Sequence, residues 1–519
     1  MVGMAEKNTA DGTGTTDLRW RVAGDFLVRC IAAALRGERI ADDAEDADSP
    51  GVGGSDRPDG PGVPDDAGVP DSVTWAQVFA LARFHNVEAV SWAGIPDAMR
   101  SRMPADVAKA WQSAADLTLF RQLSYDAERE AFLTDFRAAG LAWLPLKGIV
   151  TATYYPQPGL RSMSDQDILF GFVEHREPGA GADGGDADGD AGDNDSGWRF
   201  RGDDDAQRDE WARKADAEVI RIMEAHGYGK GHDWERELCF AKQGLGIEFH
   251  RKMVVAGERS AGYYDDAEMR YYANPWRLAV PDDEGAGAGA DADTGVGVAD
   301  GAGAGGFHLR PEDEYVFHIA HMLKHYQSAG FGIRFLVDEV VFLRRFDKRF
   351  DWGRIQRALG ELGFVDFERD IRELSTALFD HPDDWRSHVS DDQRLLFRET
   401  LESGVYGTQR GRVAKRMERE RKAMGVKEKT GRTPADAQDH KSGRKSKRGG
   451  DGILLRWRLA LAYGWRRIYP PVEWVRAYYA AWAGSPFTRM LLPFYRLYEG
   501  LRQHPRRLAE EVRTLLRRR

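Results

Sequence analysis

Four low-complexity segments limit what this chain can fold into, because they divide its 519 residues into separate blocks. Three of them are rich in Asp, Gly, Ala and Pro and carry too few large apolar side chains to offset the entropy of ordering. The fourth is rich in Lys and Arg and has the composition of a flexible linker. We predict that all four are disordered, at residues 41–72, 177–206, 282–306 and 425–450.

The blocks between these segments show two kinds of hydrophobic pattern. Apolar residues recur at helical spacing in residues 17–140, outside the first segment, and in residues 307–424. Residues 141–281 instead contain the short strand patterns LAWLPL, MSDQDILF, RELCFAK and LGIEFHRKM. The predicted fold is therefore α+β: a small mixed-sheet core flanked by helical regions, with long disordered acidic insertions.

The charge of the chain is unevenly distributed. The formal net charge is −10, yet residues 452–519 hold 14 arginines, no lysine and 4 glutamates, which gives this tail +10. Trp, Tyr and Leu are interleaved with the arginines, a mixture typical of an amphipathic helix on an anionic membrane. A helical cap whose arginines lie along apolar surface explains the same composition. Contact with nucleic acid is a weaker third interpretation, because no RNA-binding signature accompanies the arginines.

The expected location is the cytoplasm, with any membrane contact peripheral and at its inner face. Cys30 and Cys239 are too few for a disulfide framework, which favours a reducing compartment. The first residues, MVGMAEKNTADGTGTTD, lack the basic and apolar regions of a secretory signal. No apolar run approaches the roughly 20 residues that a spanning helix needs.

A pair of aspartates carries the chemistry. In MSDQDILF, Asp165 and Asp167 project from the same strand face, with side-chain origins about 6.6 Å apart. Two such carboxylates repel each other unless a cation, a proton or a base lies between them. Glu248 in GIEFH is the predicted third acid, with Ile247 and Phe249 facing the core. Such a set suits Mg²⁺ or Mn²⁺ and in-line phosphoryl displacement.

Residues around the acidic pair are suited to binding phosphate. Lys147 and Gly148 end the first strand pattern, so the glycine lets a phosphate approach a helix N-terminus and the lysine supplies charge. Arg161 lies four residues before Asp165, and its guanidinium group suits a triphosphate. With Ser164, these residues form the predicted nucleotide-binding set.

The helical block at 307–424 supplies further candidates. His321 and His325 are four residues apart, as in a zinc-peptidase helix, but the glutamate that should follow the first histidine is missing. Core packing or phosphate contact is therefore favoured over zinc. Together with His250 and Arg334, these histidines are candidates for lining a cleft. Arg334 and Asp338 are predicted to pair on the helix surface.

The motifs LPLKG, YYPQPGLRSMSDQDILF, GYG and GIEFHRKM resemble the uncharacterised nucleotidyltransferase family, a branch of the polymerase-β-like superfamily. WAQVFALARFHNVEAV before the core and the helical block after it are also similar to that family. The resemblance implies metal ligands at Asp165 and Asp167, a third acid at Glu248, and a phosphate-binding turn at Lys147-Gly148. It implies transfer of a nucleoside monophosphate from a nucleoside triphosphate to an unknown acceptor, with release of pyrophosphate.

One residue departs from the pattern of that superfamily. Its turn usually reads Gly-Ser or Gly-Gly, whereas Ile149 follows Gly148 here. A serine that contacts the nucleotide phosphates is missing, so either Lys147 replaces it or activity is lost. The rival hypothesis is a non-catalytic binding or scaffold protein that keeps the fold and docks on a membrane or partner through its basic tail. The complete three-acid set favours the enzyme.

Overall fold

The computed structural model describes residues 15–40, 73–176, 196–256, 264–282, 302–303, 305–423 and 448–503, and beyond these residues 505, 509, 511, 513 and 514. The predicted disordered segment 41–72 lies outside these residues, as do 177–195, 283–301, 304 and 425–447 of the other three. The chain forms two compact units. The first comprises Met1–Val255, Asp266–Leu323 and Phe331–Val405, and the second comprises Ala256–Asp265, Lys324–Gly330 and Tyr406–Arg519.

The helices of the first unit include those predicted from apolar spacing. Thr74 and Ser390 form capping boxes with Gln77 and Gln393, which fixes the starts of two of them. The helices are α1 (Thr15–Leu35), α2 (Trp75–Phe84), α3 (Glu88–Ala93), α4 (Asp97–Arg102), α5 (Ala105–Ala138), α6 (Gly148–Thr151), α7 (Asp205–Ala225), α8 (Asp266–Tyr271), α9 (Pro311–Ser328), α10 (Ile333–Phe346), α11 (Trp352–Leu362), α12 (Val365–Asp380) and α13 (Asp391–Ser403). Helix α9 begins in the first unit and ends in the second.

The strands form one mixed seven-stranded sheet and one small three-stranded sheet. They are β1 (Ala142–Leu146), β2 (Gln166–Gly171), β3 (Val173–His175), β4 (Trp198–Phe200), β5 (Gly229–Asp233), β6 (Glu237–Lys242), β7 (Leu245–His250), β8 (Ala279–Pro281), β9 (Ala302–Gly303) and β10 (Gly305–Leu309). The larger sheet has the order β5-β6-β7-β2-β1-β10-β8, and the smaller one β4-β3-β9. Strand β2 is antiparallel to β1 and parallel to β7, so the predicted α+β fold with a mixed sheet is confirmed.

Three predicted boundaries were wrong. Trp198, assigned to a disordered insertion, is buried in β4 with its ring 5.0 Å from that of Phe307. Strand β10, whose residues were divided between the third disordered segment and the helical region, pairs in parallel with β1 and so belongs to the sheet. The predicted basic linker ended at residue 450, whereas the next helix begins at Arg448. Composition gave no indication that these short pieces have tertiary partners.

An aromatic cluster packs one face of the larger sheet against α5. Phe249 of β7 is fully buried at its centre, with its ring 5.3 Å from that of Phe136 and 5.7 Å from that of Phe132. Phe170 of β2 and Phe240 of β6 contact the same ring at 6.0 and 5.9 Å. Because side chains alternate along a strand, this packing turns the neighbouring residues of β2 and β7 to the opposite face.

The second unit contains the tail helices. They are α14 (Gln409–Ala423), α15 (Arg448–Ile468), α16 (Val472–Tyr478), α17 (Ala480–Ala483) and α18 (Pro486–Gln503). Several tail arginines contact other groups of this unit: Arg466 lies 3.3 Å from Glu420, and Arg496 lies over the ring of Trp474. Across the part of the chain that the structure describes, no helix is long and apolar enough to cross a bilayer.

Phe249 provides a test of this packing. We expect Phe249→Ala to lower the free energy of unfolding by about 3–5 kcal/mol, because it leaves a cavity among four aromatic rings. Phe120→Ala, at a site that is 68% exposed, serves as the control and should change it by about 0.5 kcal/mol or less. Denaturant titration measures both values, and equal losses would contradict the packing described.

Candidate active site

The site is built where β2 and β7 lie side by side. Asp167 and Glu248 are directly paired residues in the parallel register of these strands. Possible ligand atoms of Asp167, Glu248 and His250 all lie within 4.8 Å of one another. Asp165 stands immediately before β2, two residues from Asp167, and interacts electrostatically with both Asp167 and Glu248. The structure therefore brings the three predicted acids near one another, with Asp167 and Glu248 on the sheet face opposite the aromatic cluster.

Lys147 reaches this face from a strained turn at the end of β1. Leu146 pairs with Asp167, so the next residue lies beside the acids. The backbone of Lys147 has φ 51° and ψ −120°, a conformation that glycine favours and that costs other residues about 1–3 kcal/mol. Its Nζ donates a hydrogen bond of 2.7 Å to Oδ1 of Asp167. A lysine is thus held in a glycine-like turn with its ammonium group at the acidic site.

His250 is the second partner of Asp167. Its Nε2 lies 2.7 Å from Oδ1 of Asp167, and its Nδ1 lies 3.5 Å from Glu237. Glu237 is in turn 2.6 Å from Arg236 and is paired with His250 across β6 and β7. The sequence interpretation missed Glu237 and Arg236, although an acid in the strand pattern before GIEFH was a visible indication. Glu237 thus lies beside the ring nitrogen that does not contact Asp167, with Arg236 next to it.

Asp167 is held in its charged form. Burial alone would raise the pKa of Asp167, but the charge of Lys147 and the hydrogen bond from His250 outweigh it, so that pKa is lowered. Burial also opposes the charge of Lys147, yet the neighbouring Asp167 carboxylate raises the pKa of Lys147. The pKa of His250 is lowered, chiefly by burial, so its imidazole is neutral. The core of the site is a lysine–aspartate ion pair with a neutral histidine.

The other two acids hold their protons more tightly than usual. Burial, followed by the charges of Asp167, Glu237 and Asp165, raises the pKa of Glu248 to about 8. Asp165 is exposed as a residue, yet protein atoms surround its carboxyl group. This burial, followed by the charge of Asp167, raises the pKa of the carboxyl group. Burial is the larger cause of both shifts, and the charges of neighbouring carboxylates are the second.

This donor set fits a divalent cation. Carboxylate oxygens are the ligands that Mg²⁺ prefers, and Asp165, Asp167 and Glu248 supply them from two adjacent strand ends. Lys147 and His250 both contact Oδ1 of Asp167, and a carboxylate has a second oxygen that accepts independently. The charge of such an ion would counteract both the burial and the neighbouring carboxylates that raise the pKa values of the other two acids.

Arg161 is anchored in a buried ion pair. Its Nε and Nη2 each donate to one oxygen of Asp338 on α10, both at 2.8 Å, and Tyr155 donates to the same carboxylate. The predicted surface pair of Arg334 and Asp338 was therefore wrong, because Asp338 is buried and its carboxylate is bound by Arg161. Contact between Arg161 and a triphosphate stays a prediction. An acid within the apolar helix pattern FLVDEVVFL was the available indication of this pair.

Gly148 leaves room for that guanidinium group. A Cβ at position 148 would lie 2.5 Å from Nη1 of Arg161, well inside van der Waals contact. The fixed arginine thus explains the glycine beside the strained lysine. Ile149, the residue that departs from the superfamily pattern, is buried in the aromatic cluster. A serine there would lie in the core, so the substitution leaves the acidic face unchanged.

The remaining candidates, Ser164, Arg334, His321 and His325, lie at different places in the fold. Ser164 is exposed, and its carbonyl accepts a hydrogen bond from the hydroxyl of Tyr125. Arg334 donates to the carbonyl of Ser162, and its charge counteracts part of the rise in the pKa of Asp165. The ring of His321 lies 5.7 Å from that of Phe335. His325 belongs to the second unit, so no common site with the acids is described.

Comparison with known proteins gives one match. A family model described as an uncharacterised nucleotidyltransferase matches residues 71–174 and 211–380, together more than half of the chain. The matched ranges contain all three acids, Lys147, and both members of the Arg161–Asp338 pair. Comparison with curated proteins and with solved structures gives no significant match.

The raised pKa of Glu248 predicts a pH-dependent loss of stability. The unfolded chain deprotonates this group near 4.5 and the folded chain at about 8, so stability falls as the pH rises between these values. Without divalent metal, Glu248→Gln should therefore raise the free energy of unfolding at pH 8.5 by about 2–4 kcal/mol and leave it unchanged at pH 4. Thermal and denaturant unfolding measure this difference, and a destabilised variant at pH 8.5 would contradict the assignment.

Proposed function

Because the chain belongs to the uncharacterised nucleotidyltransferase family, we propose that it transfers a nucleoside monophosphate from a nucleoside triphosphate to an acceptor hydroxyl group. The observation that carries the proposal is the in-register pair of Asp167 and Glu248, with the ammonium group of Lys147 held against it. A general role in nucleotidyl transfer follows from the family. The metal requirement, the residue roles and the cytoplasmic location are parts of the proposal.

The reaction joins the acceptor to the α-phosphate. The acceptor oxygen attacks the α-phosphorus, its proton passes to water, and the bond between the α- and β-phosphates breaks. Pyrophosphate leaves with the electrons of that bond. A bound divalent cation stabilises negative charge on the attacking and leaving oxygens of such a displacement. Asp165, Asp167 and Glu248 are the residues proposed to hold Mg²⁺ or Mn²⁺.

The other residues position the triphosphate. Lys147 is suited to supply positive charge, because its strained backbone places Nζ at the acidic face. Gly148 is the first residue of α6, and its backbone is the proposed contact for a phosphate. Ser164 directly precedes Asp165 in the sequence, and the charge of Arg334 acts to lower the pKa of Asp165. His250 keeps the Asp167 carboxylate oriented through its hydrogen bond.

The rival hypothesis is a binding or scaffold protein with the same fold. The strain at Lys147 argues against it, because a scaffold gains nothing from a non-glycine residue in that turn. The raised pKa values of Asp165 and Glu248 also argue against it. If no ligand bound here, neutral side chains at these two positions would give a more stable protein. Both features have a use if a cation and a triphosphate bind.

Metal binding is the first test. Isothermal titration with Mn²⁺ and a non-hydrolysable triphosphate should give saturable binding that Asp167→Asn and Glu248→Gln each weaken at least tenfold. Binding should also be tighter at pH 8.5 than at pH 6.5, because Glu248 must lose its proton to serve as a ligand. Asp205→Asn, at an exposed acid that begins α7, is the matched control and should bind as the wild type does. Equal affinities in all four proteins would exclude the proposed ligands.

Transfer of the nucleotide is the second test. Each α-labelled nucleoside triphosphate is incubated with the protein, Mg²⁺ and a lysate, and incorporation into any acceptor is scored. We expect label transfer by the wild type and the Asp205→Asn control, and a loss of at least 10²-fold in Asp167→Asn, because transition-state electrostatics carries such factors. Triphosphate binding without transfer of any label would favour the scaffold hypothesis.

A further inference from the structure

Helix α18 of the second unit has a continuous apolar face turned to solvent. Its seven exposed apolar residues are between 43% and 68% exposed: Phe487, Met490, Leu491, Phe494, Leu497, Tyr498 and Leu501. At about 100° per residue they fall within an arc of roughly 120°, along about 21 Å of helix. Leu492, on the other side of α18, is only 1% exposed. The helix therefore packs through one side and leaves its more apolar side uncovered.

A second stripe of the same kind lies on α15. Leu461, Trp465 and Ile468 follow the spacing i, i+4, i+7, and Tyr469, the residue after the end of the helix, continues the stripe. Leu461 and Trp465 are 68% and 65% exposed. The rings of Trp465 and Tyr469 are 4.6 Å apart, so the two aromatic side chains form one surface. Arg496 of α18 donates a hydrogen bond of 3.0 Å to the carbonyl of Arg467 in α15, so these two helices are in contact. Single exposed apolar residues are ordinary on protein surfaces, whereas two exposed apolar stripes on contacting helices mark a binding surface.

The charges beside these stripes favour an anionic occupant. By helical position, the exposed Arg458 lies in line with the α15 stripe, three residues before Leu461, and the exposed Arg502 lies at the edge of the α18 stripe. Glu499 is the only acid in α18, and residues 452–519 carry +10. Arginine binds phosphate through two parallel N–H donors, and Trp and Tyr concentrate at the boundary between lipid head groups and acyl chains.

We propose that the exposed faces of α15 and α18 dock on an anionic lipid bilayer, with the helices lying in the interface. The described helices are not long and apolar enough to span a membrane, which leaves a surface position as the way to bury these stripes in lipid. Arg458 and Arg502 contact anionic head groups, and the aromatic and aliphatic side chains enter the acyl boundary. This inference does not depend on the proposed reaction.

Co-sedimentation of the full-length protein with vesicles tests the proposal. Vesicles of phosphatidylcholine alone are compared with vesicles that also contain phosphatidylserine, at low and at high salt. We expect strong binding to the anionic vesicles at low salt and weak binding to the neutral ones. High salt should reduce binding without abolishing it, because screening removes the head-group attraction but leaves the apolar burial.

Matched variants locate the contact. Phe494→Asp should lower the partition coefficient on anionic vesicles at least tenfold, whereas Phe120→Asp on α5 should leave it unchanged, although both side chains are 68% exposed. Arg458→Gln with Arg502→Gln should weaken binding at low salt and flatten its salt dependence. Equal melting temperatures establish that the variants remain folded.

Three outcomes would overturn the proposal. If the wild-type protein does not bind anionic vesicles at low salt, something other than lipid covers its stripes. If light scattering then shows a dimer that Phe494→Asp dissociates, a second copy of the chain is the occupant. Equal losses of vesicle binding in Phe494→Asp and Phe120→Asp would mean that binding does not use α18.

Discussion

The register between β2 and β7 is the constraint on which the site depends. The aromatic cluster around Phe249 fixes which residues of these strands face the core, and a shift by one residue would bury the acids there. Because the pairing is parallel and in register, Asp167 meets Glu248 directly, which separates two like charges by only one strand spacing. Apolar packing on one face thus maintains an electrostatic conflict on the other.

Lys147 resolves only part of this conflict. Its ammonium group neutralises Asp167, while burial and the neighbouring carboxylates still raise the pKa values of Asp165 and Glu248. The lysine itself occupies a backbone conformation suited to glycine, so local strain adds to the electrostatic term. Selection for stability alone would remove both the strained backbone and the raised pKa values. Their occurrence at one point of the sheet is typical of a site that receives a cationic or anionic ligand.

The sequence supported the prediction of the α+β class through helical spacing and strand alternation, and alternation also indicated that Ile247 and Phe249 face the core while Glu248 does not. It did not support the prediction of contacts between residues that lie far apart in the sequence. Arg161 was expected to serve a triphosphate, yet its closest partner, Asp338, lies 177 residues later in the chain. Strand β10 was missed for the same reason, because a five-residue strand between a glycine-rich segment and a helix is recognised only by its pairing with β1.

The Arg161–Asp338 pair connects the helical part of the first unit to the chemistry of the sheet. Arg161 leaves no room for a Cβ at position 148, and the turn that begins there presents Lys147 to the acids. Asp338 holds Arg161 from α10, and Tyr155 adds a third buried contact. Removing either charge would leave the other buried without its partner, which is far more costly than the pair is stabilising. The helices that follow the sheet are therefore part of the site's construction, and the family match, which extends through residue 380, includes α10 and its Asp338.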